Sequence, residues 1–454
     1  MHQHLVKGRD SWKKIGLAIA LGCIVAFVAA EAAVRLFPGA FIRYLEPYDK
    51  QELVFNPEVG CLRAPSKDAS LYRSCMRISS IGLNSFGFRG YEWQAQALLR
   101  IAVLGDSFME ALQVADADTT SVVLGKLLHA EVYNASLSET GTAKEVLFYR
   151  KFVKPFKPQA VILFFLGDND VSESSCRLRK MIFGAPSDCC YDEEGAFRIS
   201  NTHSTTNPKM VFNSQLQGIK RAFKVHCRSC LVLNRFIFQR VFPYLPPRED
   251  RRQLNRRYWE VYISKETSAW QSGWRIVEGL LSALKNEVES SGARLLVVNV
   301  PLKSYDRKDW EKWYPQNTGG ASLPEEFDPF YPLKKIESIC QKSNIPFLKL
   351  EPYFFDYKNR FNMSEPYLTY QCDGHWNPIG HFLASHIVAR YLLKHDWIPL
   401  AENEKKEALE KIEKDLQLSP EQILGKAAFD QIYRGGVYRG SSNITRILED
   451  DTVQ

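Results

Sequence analysis

The segment Arg100-Ile101-Ala102-Val103-Leu104-Gly105-Asp106-Ser107 decides how this chain folds. Ile101 to Leu104 is apolar at every position, with no polar alternation, which describes a strand covered on both faces, and Gly105 ends it in a turn. The same unit recurs outward from this point. Thr119 to Ala130 has apolar residues at helical spacing (Val122, Val123, Leu127, Leu128), Val132-Tyr133-Asn134 is a second short strand, and Thr142 to Phe156 a second helix. Gln159 to Leu166 is a strand of nearly uniform apolarity. A helix over Thr267 to Glu289 leads to the strand Arg294 to Val300, and a helix around Leu333 to Cys340 leads to Ile345 to Leu350. A last helix runs from Pro378 to Lys394, with proline in its first turn. Alternating strands and helices predict an α/β fold, a three-layer α/β/α sandwich around a central parallel sheet of the flavodoxin-like kind. Ligands of such sheets bind at the C-terminal ends of the strands.

The remaining sequence frames that domain. The chain has 454 residues, 45% apolar and 24% charged, which excludes long disorder, collagen-like repeats and a multi-span membrane protein. Ile15 to Ala30 is a charge-free apolar run behind Lys7, Arg9, Lys13 and Lys14. Its sixteen residues give about 24 Å of helix, and Ala32 to Val34 bring it near a full bilayer span. It reads as a signal anchor with its cationic flank inside, or as a signal peptide cleaved near Ala29-Ala30-Glu31-Ala32-Ala33. Either reading exports the body of the protein, to the periplasmic or extracellular side, as a single-pass or a secreted protein. The expected organisation is an N-terminal membrane helix or signal over 1–36, a loop-rich lead-in over 37–97, the α/β domain over 98–398 with an insertion at 171–257, and a helical C-terminal extension over 399–454. The extension carries a charged helix from Glu402 to Leu416 and a capping box at Ser419-Pro420-Glu421-Gln422.

Charge and cysteine usage are informative about partners. The net charge of +7 is modest, and it is local: Lys220 to Arg257 holds eleven Lys/Arg against two acidic residues. That balance does not announce a nucleic-acid binder, and no nucleic acid is expected among the partners. The stretch is either the solvated face of an insertion helix or a surface for anionic lipid headgroups or acidic glycan. Nine cysteines (Cys61, Cys75, Cys176, Cys189, Cys190, Cys227, Cys230, Cys340 and Cys372) lie beyond the apolar run, which holds Cys23. Outside the cytoplasm such cysteines pair as disulfides, and an odd number leaves one over. Cys227 and Cys230 form a CxxC beside His226, but no second CxxC follows at zinc-ligand spacing.

Three loops carry candidate chemistry. Ser107 follows a buried strand in a glycine-started turn, where its hydroxyl is either a nucleophile awaiting a base or the N-cap of the next helix. The base candidate is His375 in Asp373-Gly374-His375-Trp376-Asn377, since a carboxylate two positions earlier can fix its tautomer and stabilise an imidazolium. His381, His386 and His395 fall on the following helix and read as packing or surface residues. The third loop, Gly167-Asp168-Asn169-Asp170, offers an amide donor for a developing oxyanion; its Asp168 and Asp170 also fit a DxD metal clamp of a nucleotide-sugar transferase, which would have no use for the other two loops.

Taken in order, Gly105-Asp106-Ser107 after the first strand, the Asn134 loop after the second, Gly167-Asp168-Asn169-Asp170 after the third and Asp373-x-His375 before the last helix resemble the SGNH/GDSL hydrolase superfamily, in a membrane-anchored bacterial form. The resemblance covers residues 98–396. It implies Ser107 as nucleophile, His375 as base, Asp373 as its orienting carboxylate, and an oxyanion hole of Asn169, the Ser107 amide and a backbone donor near Glu139 or Gly141. Glu139 stands where that family usually has glycine, with Gly141 two residues on, and Asp-x-His replaces the commoner Asp-x-x-His. A carboxylate beside a forming oxyanion is unfavourable unless it points away. The implied function is an exported serine esterase cleaving acyl esters without metal or cofactor. Its alternatives are an O-acyltransferase acting on polysaccharide or cell-wall glycan, and a non-catalytic glycan- or partner-binding module. The implied substrate is an acyl ester or an acetylated carbohydrate, and no feature sets the oligomeric state.

Overall fold

The computed structural model describes residues 3–36, 48–49, 53–65, 69–72, 75–184, 187–192, 194–199, 256–301, 305–363, 368–370, 373–434 and 438–449. The chain divides into two units, residues 1–47 with 204–246 and residues 48–203 with 247–454. Helix α1 (Gln3–Leu36) belongs to the first unit and carries the expected apolar run, with Ile19, Leu21, Ile24, Val25, Phe27 and Val28 exposed along it. Among the described residues no helix is long and apolar enough to cross a membrane. Nearly all of the basic Lys220 to Arg257 stretch, including Cys227 and Cys230, lies outside the described residues.

The second unit begins with five short strands in the stretch expected to be loops: β1 (Tyr48–Asp49), β2 (Leu53–Asn56), β3 (Gly60–Arg63), β4 (Ala69–Tyr72) and β5 (Arg77–Ile81). They form an antiparallel β2–β3 hairpin and a β1-β4-β5 sheet. Strands of two to five residues are too short to show a two-residue period, which is why the pattern hid them.

From β6 (Arg100–Gly105) the expected alternation appears. α2 (Ser107–Glu110) and α3 (Thr120–Leu128) lead to β7 (Glu131–Ser136), and α4 (Thr142–Phe148) leads to β8 (Ala160–Phe165). The helix expected over Thr142 to Phe156 turns π-helical at Tyr149–Val153 and 3₁₀ at Lys154–Phe156, because Pro155 has no amide to continue the α-helical ladder. The insertion then supplies α5 (Asp170–Ser174), α6 (Cys176–Phe183) and the hairpin β9 (Cys189–Tyr191)/β10 (Phe197–Ile199), with Cys176 and Cys190 joined in a disulfide. Cys75 is also disulfide-bonded. α7 (Ser268–Ser290), β11 (Arg294–Asn299), α8 (Arg307–Thr318), α9 (Tyr331–Lys342), β12 (Phe347–Leu348), α10 (Glu351–Arg360) and α11 (Pro378–Lys394) follow. The five strands run in the order β12-β11-β8-β6-β7, every neighbouring pair parallel.

Alternate residues of each central strand enter opposite cores. Ile101, Val103, Ile162, Phe164, Leu296 and Val298 pack with α3 and α11 on one side, while Ala102, Leu104, Val161, Leu163, Leu295 and Val297 pack with α4, α7 and α9 on the other. All twelve are buried, so both faces contribute roughly 1.5–3 kcal/mol per large side chain. α7 meets the sheet through Trp270, Trp274, Val277, Leu281, Leu284 and Val288, a stripe at three- and four-residue spacing. The chain leaves β6 toward the α3 side and its neighbour β8 toward the α7 side, so the topological switch point of the sheet, the place where such sheets bind ligands, falls between their C-terminal ends.

The C-terminal stretch is not a free extension. α12 (Glu402–Asp415), α13 (Pro420–Leu424), α14 (Lys426–Tyr433) and α15 (Ile444–Glu449) bury Ile412, Ile423, Leu424 and Ile444 in the core that holds α3 and α11. The Ser419 capping box is formed, with Gln422 N donating to Ser419 Oγ and Ser419 N to Gln422 Oε1.

Candidate active site

Gly105 ends β6 where an added Cβ would come within 2.8 Å of Met109 Cγ, so the chain can turn tightly into α2. Asp106, not Ser107, caps this helix: its carboxylate accepts from Phe108 N at 2.9 Å. Ser107 therefore keeps its hydroxyl for other partners at the first helical position. That hydroxyl lies 2.8 Å from His375 Nε2, although the two residues are 268 positions apart. His375 Nδ1 donates to Asp373 Oδ1, which leaves Nε2 as the acceptor for Ser107. The Asp-x-His spacing works because Gly374 takes φ +89°, a conformation open to glycine, and reverses the chain between the two side chains. Asn377 then caps α11 by accepting from Ile379 N at 2.9 Å, with Pro378 in the first turn.

Around this line the imidazole is supported from one side and open on the other. The Phe108 ring packs on His375 at 4.8 Å and edge-on against buried Trp376 at 5.3 Å. Asp373 is 7% exposed, His375 23%, and Gln113 Nε2 donates to Asp373 Oδ1 at 3.4 Å. His381 and His386 are buried in α11, His381 against Thr120 and His386 against Asp415, and His395 is exposed. Burial pushes the His381 imidazole down to about 3, so it stays neutral.

Asn169 is the N-cap position of α5, in the turn that follows β8, and donates from Nδ2 to Asp106 Oδ2 at 3.0 Å, so its amide is held beside the Ser107 turn. Its neighbours turn inward. Asp170 Oδ2 accepts from Leu166 N at 2.7 Å, and burial holds its carboxyl well above the usual range; Asp168 is pushed up to about 6, by burial and then by the charge of Asp106. Asp106 itself is raised by burial, opposed by the Phe108 amide and by His375.

The loop after β7 carries Glu139, where the resembled motif has glycine. Glu139 adopts φ +58°, the left-handed conformation that glycine takes without strain. Its side chain is 81% exposed and its carboxylate lies 3.7 Å from Arg179 Nη2, so the charge stands out in solvent. Gly141 caps α4, and a Cβ there would lie 2.6 Å from Asp170 O, so its glycine is required by close packing against α5. Asn134 reaches from β7 to Met109 O at 2.9 Å.

Sequence reasoning missed what anchors this loop. Glu110, 1% exposed, accepts from Arg63 Nε at 2.8 Å and Nη2 at 3.2 Å, from Ser138 N at 2.8 Å and from Ser138 Oγ. Burial alone would raise its carboxyl, but the Arg63 guanidinium and Ser138 hold it below the usual carboxylate range. The signal was present: a single charge inside the apolar run Phe108-Met109-Glu110-Ala111-Leu112. No sequence signal tied Arg63 or Arg179 to it. Beside Gly167, a small cavity of about 20 Å³, room for one water, is bounded by Tyr262, Asn299, Tyr305 and Glu351. Glu351 accepts from Tyr305 OH at 2.7 Å and is pushed up to about 7 by burial.

The arrangement can polarise a serine hydroxyl, accept its proton on imidazole, and present amide donors from two neighbouring turns. No family model matches the sequence, and no curated protein does. Solved structures do. The chain is similar to TesA at 12% identity, covering 65% of this chain and 98% of that one, with a TM-score of 0.31. It is similar to a catalytic mutant of Axe2, an acetylxylan esterase from Geobacillus stearothermophilus, at 10% identity over 67% of this chain and 96% of that one, with a TM-score of 0.33. A lipase/acylhydrolase from Enterococcus faecalis matches at 12% identity over 65% and 95%, with a TM-score of 0.31.

Proposed function

We propose that this protein is a serine esterase in which Ser107, His375 and Asp373 act as a triad. The observation that carries the reading is the contact of 2.8 Å between Ser107 Oγ and His375 Nε2, with Asp373 on the other ring nitrogen. Ser107 Oγ attacks the acyl carbonyl as its proton passes to His375 Nε2, and Asp373 stabilises the imidazolium formed. Asn169 Nδ2 and the Ser107 and Glu139 amides receive the oxyanion, and Gly141 supports the same loop by its packing. Collapse of the tetrahedral species breaks the ester bond, and the departing alcohol takes the proton from His375. Water then enters, gives a proton to His375 and attacks the acyl-enzyme; the carboxylic acid leaves and the proton returns to Ser107.

Export is part of the proposal. It is supported by the exposed apolar residues of α1 behind four cations, and by the Cys176–Cys190 and Cys75 disulfides, which persist in oxidising compartments. The test is labelling of the full chain with a fluorophosphonate probe together with hydrolysis of short p-nitrophenyl and acetylated glycan esters. Wild type should label and turn over, and Ser107→Ala and His375→Ala should do neither. Equal labelling of Ser107→Ala, or a silent wild type, refutes the esterase. Acetyl appearing on an added glycan in place of free acetate makes the same triad a transferase.

A further inference from the structure

Glu110 occupies a position that neither the triad nor the donors explain. It ends α2, one helical turn beyond Ser107, and lies almost wholly buried, a costly place for a charge. The cost is offset by a paired geometry: Arg63 from β3 approaches with two nitrogens at 2.8 and 3.2 Å, the bidentate fork that matches a carboxylate. The remaining acceptor capacity goes to a single residue, Ser138, through its backbone N–H at 2.8 Å and its hydroxyl. Ser138 immediately precedes Glu139, and the Ser138 carbonyl and the Glu139 N–H share one planar peptide unit, so holding Ser138 fixes the direction of that N–H. Thr140 fixes the far side of the turn by donating to Leu137 O at 2.6 Å and Gly105 O at 3.3 Å. One carboxylate thus joins the helix that bears Ser107 to the loop that bears residue 139.

We infer that Glu110 is a positioning residue: with Arg63 it clamps Ser138 so that the Glu139 amide faces the oxyanion formed on Ser107. The inference rests on the esterase reading and deepens it. A neutral, near-isosteric replacement separates positioning from filling. Glu110→Gln keeps the volume and an acceptor oxygen, but it presents an amide N–H₂ where Ser138 offers two donors, and it removes the charge that holds Arg63.

The experiment compares wild type, Glu110→Gln, Glu110→Asp, Ser138→Ala and Ser107→Ala on a short p-nitrophenyl ester, with kcat and KM separated and melting recorded for each. Glu110→Gln should lower kcat about 10–100-fold with KM within about twofold, since a misplaced donor acts on the transition state alone. Glu110→Asp, which keeps the charge, should recover part of that loss. Ser138→Ala keeps the Ser138 N–H and loses only the hydroxyl bond, and should lower kcat about 3–10-fold; it carries the test if Glu110→Gln fails to fold. Unchanged kcat in a folded Glu110→Gln or Ser138→Ala, or a rise in KM alone, overturns the clamp. The two readings fail separately: a Ser107→Ala protein as active as wild type removes the esterase, whereas a silent Ser107→Ala beside a fully active Glu110→Gln removes only the positioning role.

Discussion

Replacing Glu139 tests whether this loop is strained and whether its carboxylate touches the chemistry. Glu139 holds φ +58°, and a left-handed backbone costs a non-glycine residue roughly 1–2 kcal/mol. Glycine would relieve that cost but adds freedom to the unfolded chain, which opposes it by about 0.4–1 kcal/mol. Both Glu139→Gly and Glu139→Ala lose the exposed contact with Arg179, so that contribution drops out of their comparison. What remains is backbone alone, and Glu139→Gly should be more stable than Glu139→Ala by about 0.5–1 kcal/mol, a Tm difference of roughly 1–3 °C. Denaturant titration at constant m, with a matched thermal scan, measures it. An alanine variant as stable as the glycine variant would refute the left-handed assignment. The same proteins test the charge. With the carboxylate 81% exposed and the donor on the main chain, ester hydrolysis should stay within about threefold of wild type in both variants. A tenfold rise in kcat for Glu139→Gly would mean the carboxylate repels the oxyanion, contrary to its position in solvent.

Gly374→Ala meets no atom within 4 Å, so any loss comes from its φ of +89°; moving Asp373 relative to His375 should lower kcat by about 10-fold or more while the chain still folds, seen by steady-state kinetics beside circular dichroism. Asn169→Ala should lower kcat by about 10²–10³ with KM little changed, and an equal loss in substrate binding would argue against an oxyanion donor. Glu351 has a folded-state value of about 7 against 4.5 for the free side chain, so the folded protein binds the proton more tightly and this contribution to stability is lost as pH rises from about 4.5 through about 7. Glu351→Gln should therefore gain on wild type between pH 5 and pH 8, by up to about 3 kcal/mol in denaturant unfolding; parallel stability curves would refute it.

Strand and helix order was legible in the sequence because central strands buried on both faces leave unbroken apolar runs. Ile101 to Leu104 and Ala160 to Phe165 needed no tertiary information to be recognised. The short strands before Ile81 and the π turn at Tyr149 were not legible, since two to five residues carry no period and a helix pattern does not report its hydrogen-bond ladder. Ser107, His375, Asp373 and Asn169 were readable as candidates from local motifs, each next to a strand or helix end. Whether Ser107 was a cap or free was not, and the answer came from the neighbouring carboxylate of Asp106.

By itself, then, the sequence determined the alternation, the faces of the sheet and the chemical types waiting at the strand ends, because periodicity and turn chemistry act over a few residues. Only the tertiary structure decided that a hydroxyl and an imidazole 268 positions apart lie within hydrogen-bond reach. It also decided that Glu139 turns to solvent toward Arg179 and that Glu110, paired with Arg63, binds Ser138. Those outcomes depend on which strands become neighbours and on how a buried charge finds its partner, and neither is a property of a local stretch of chain.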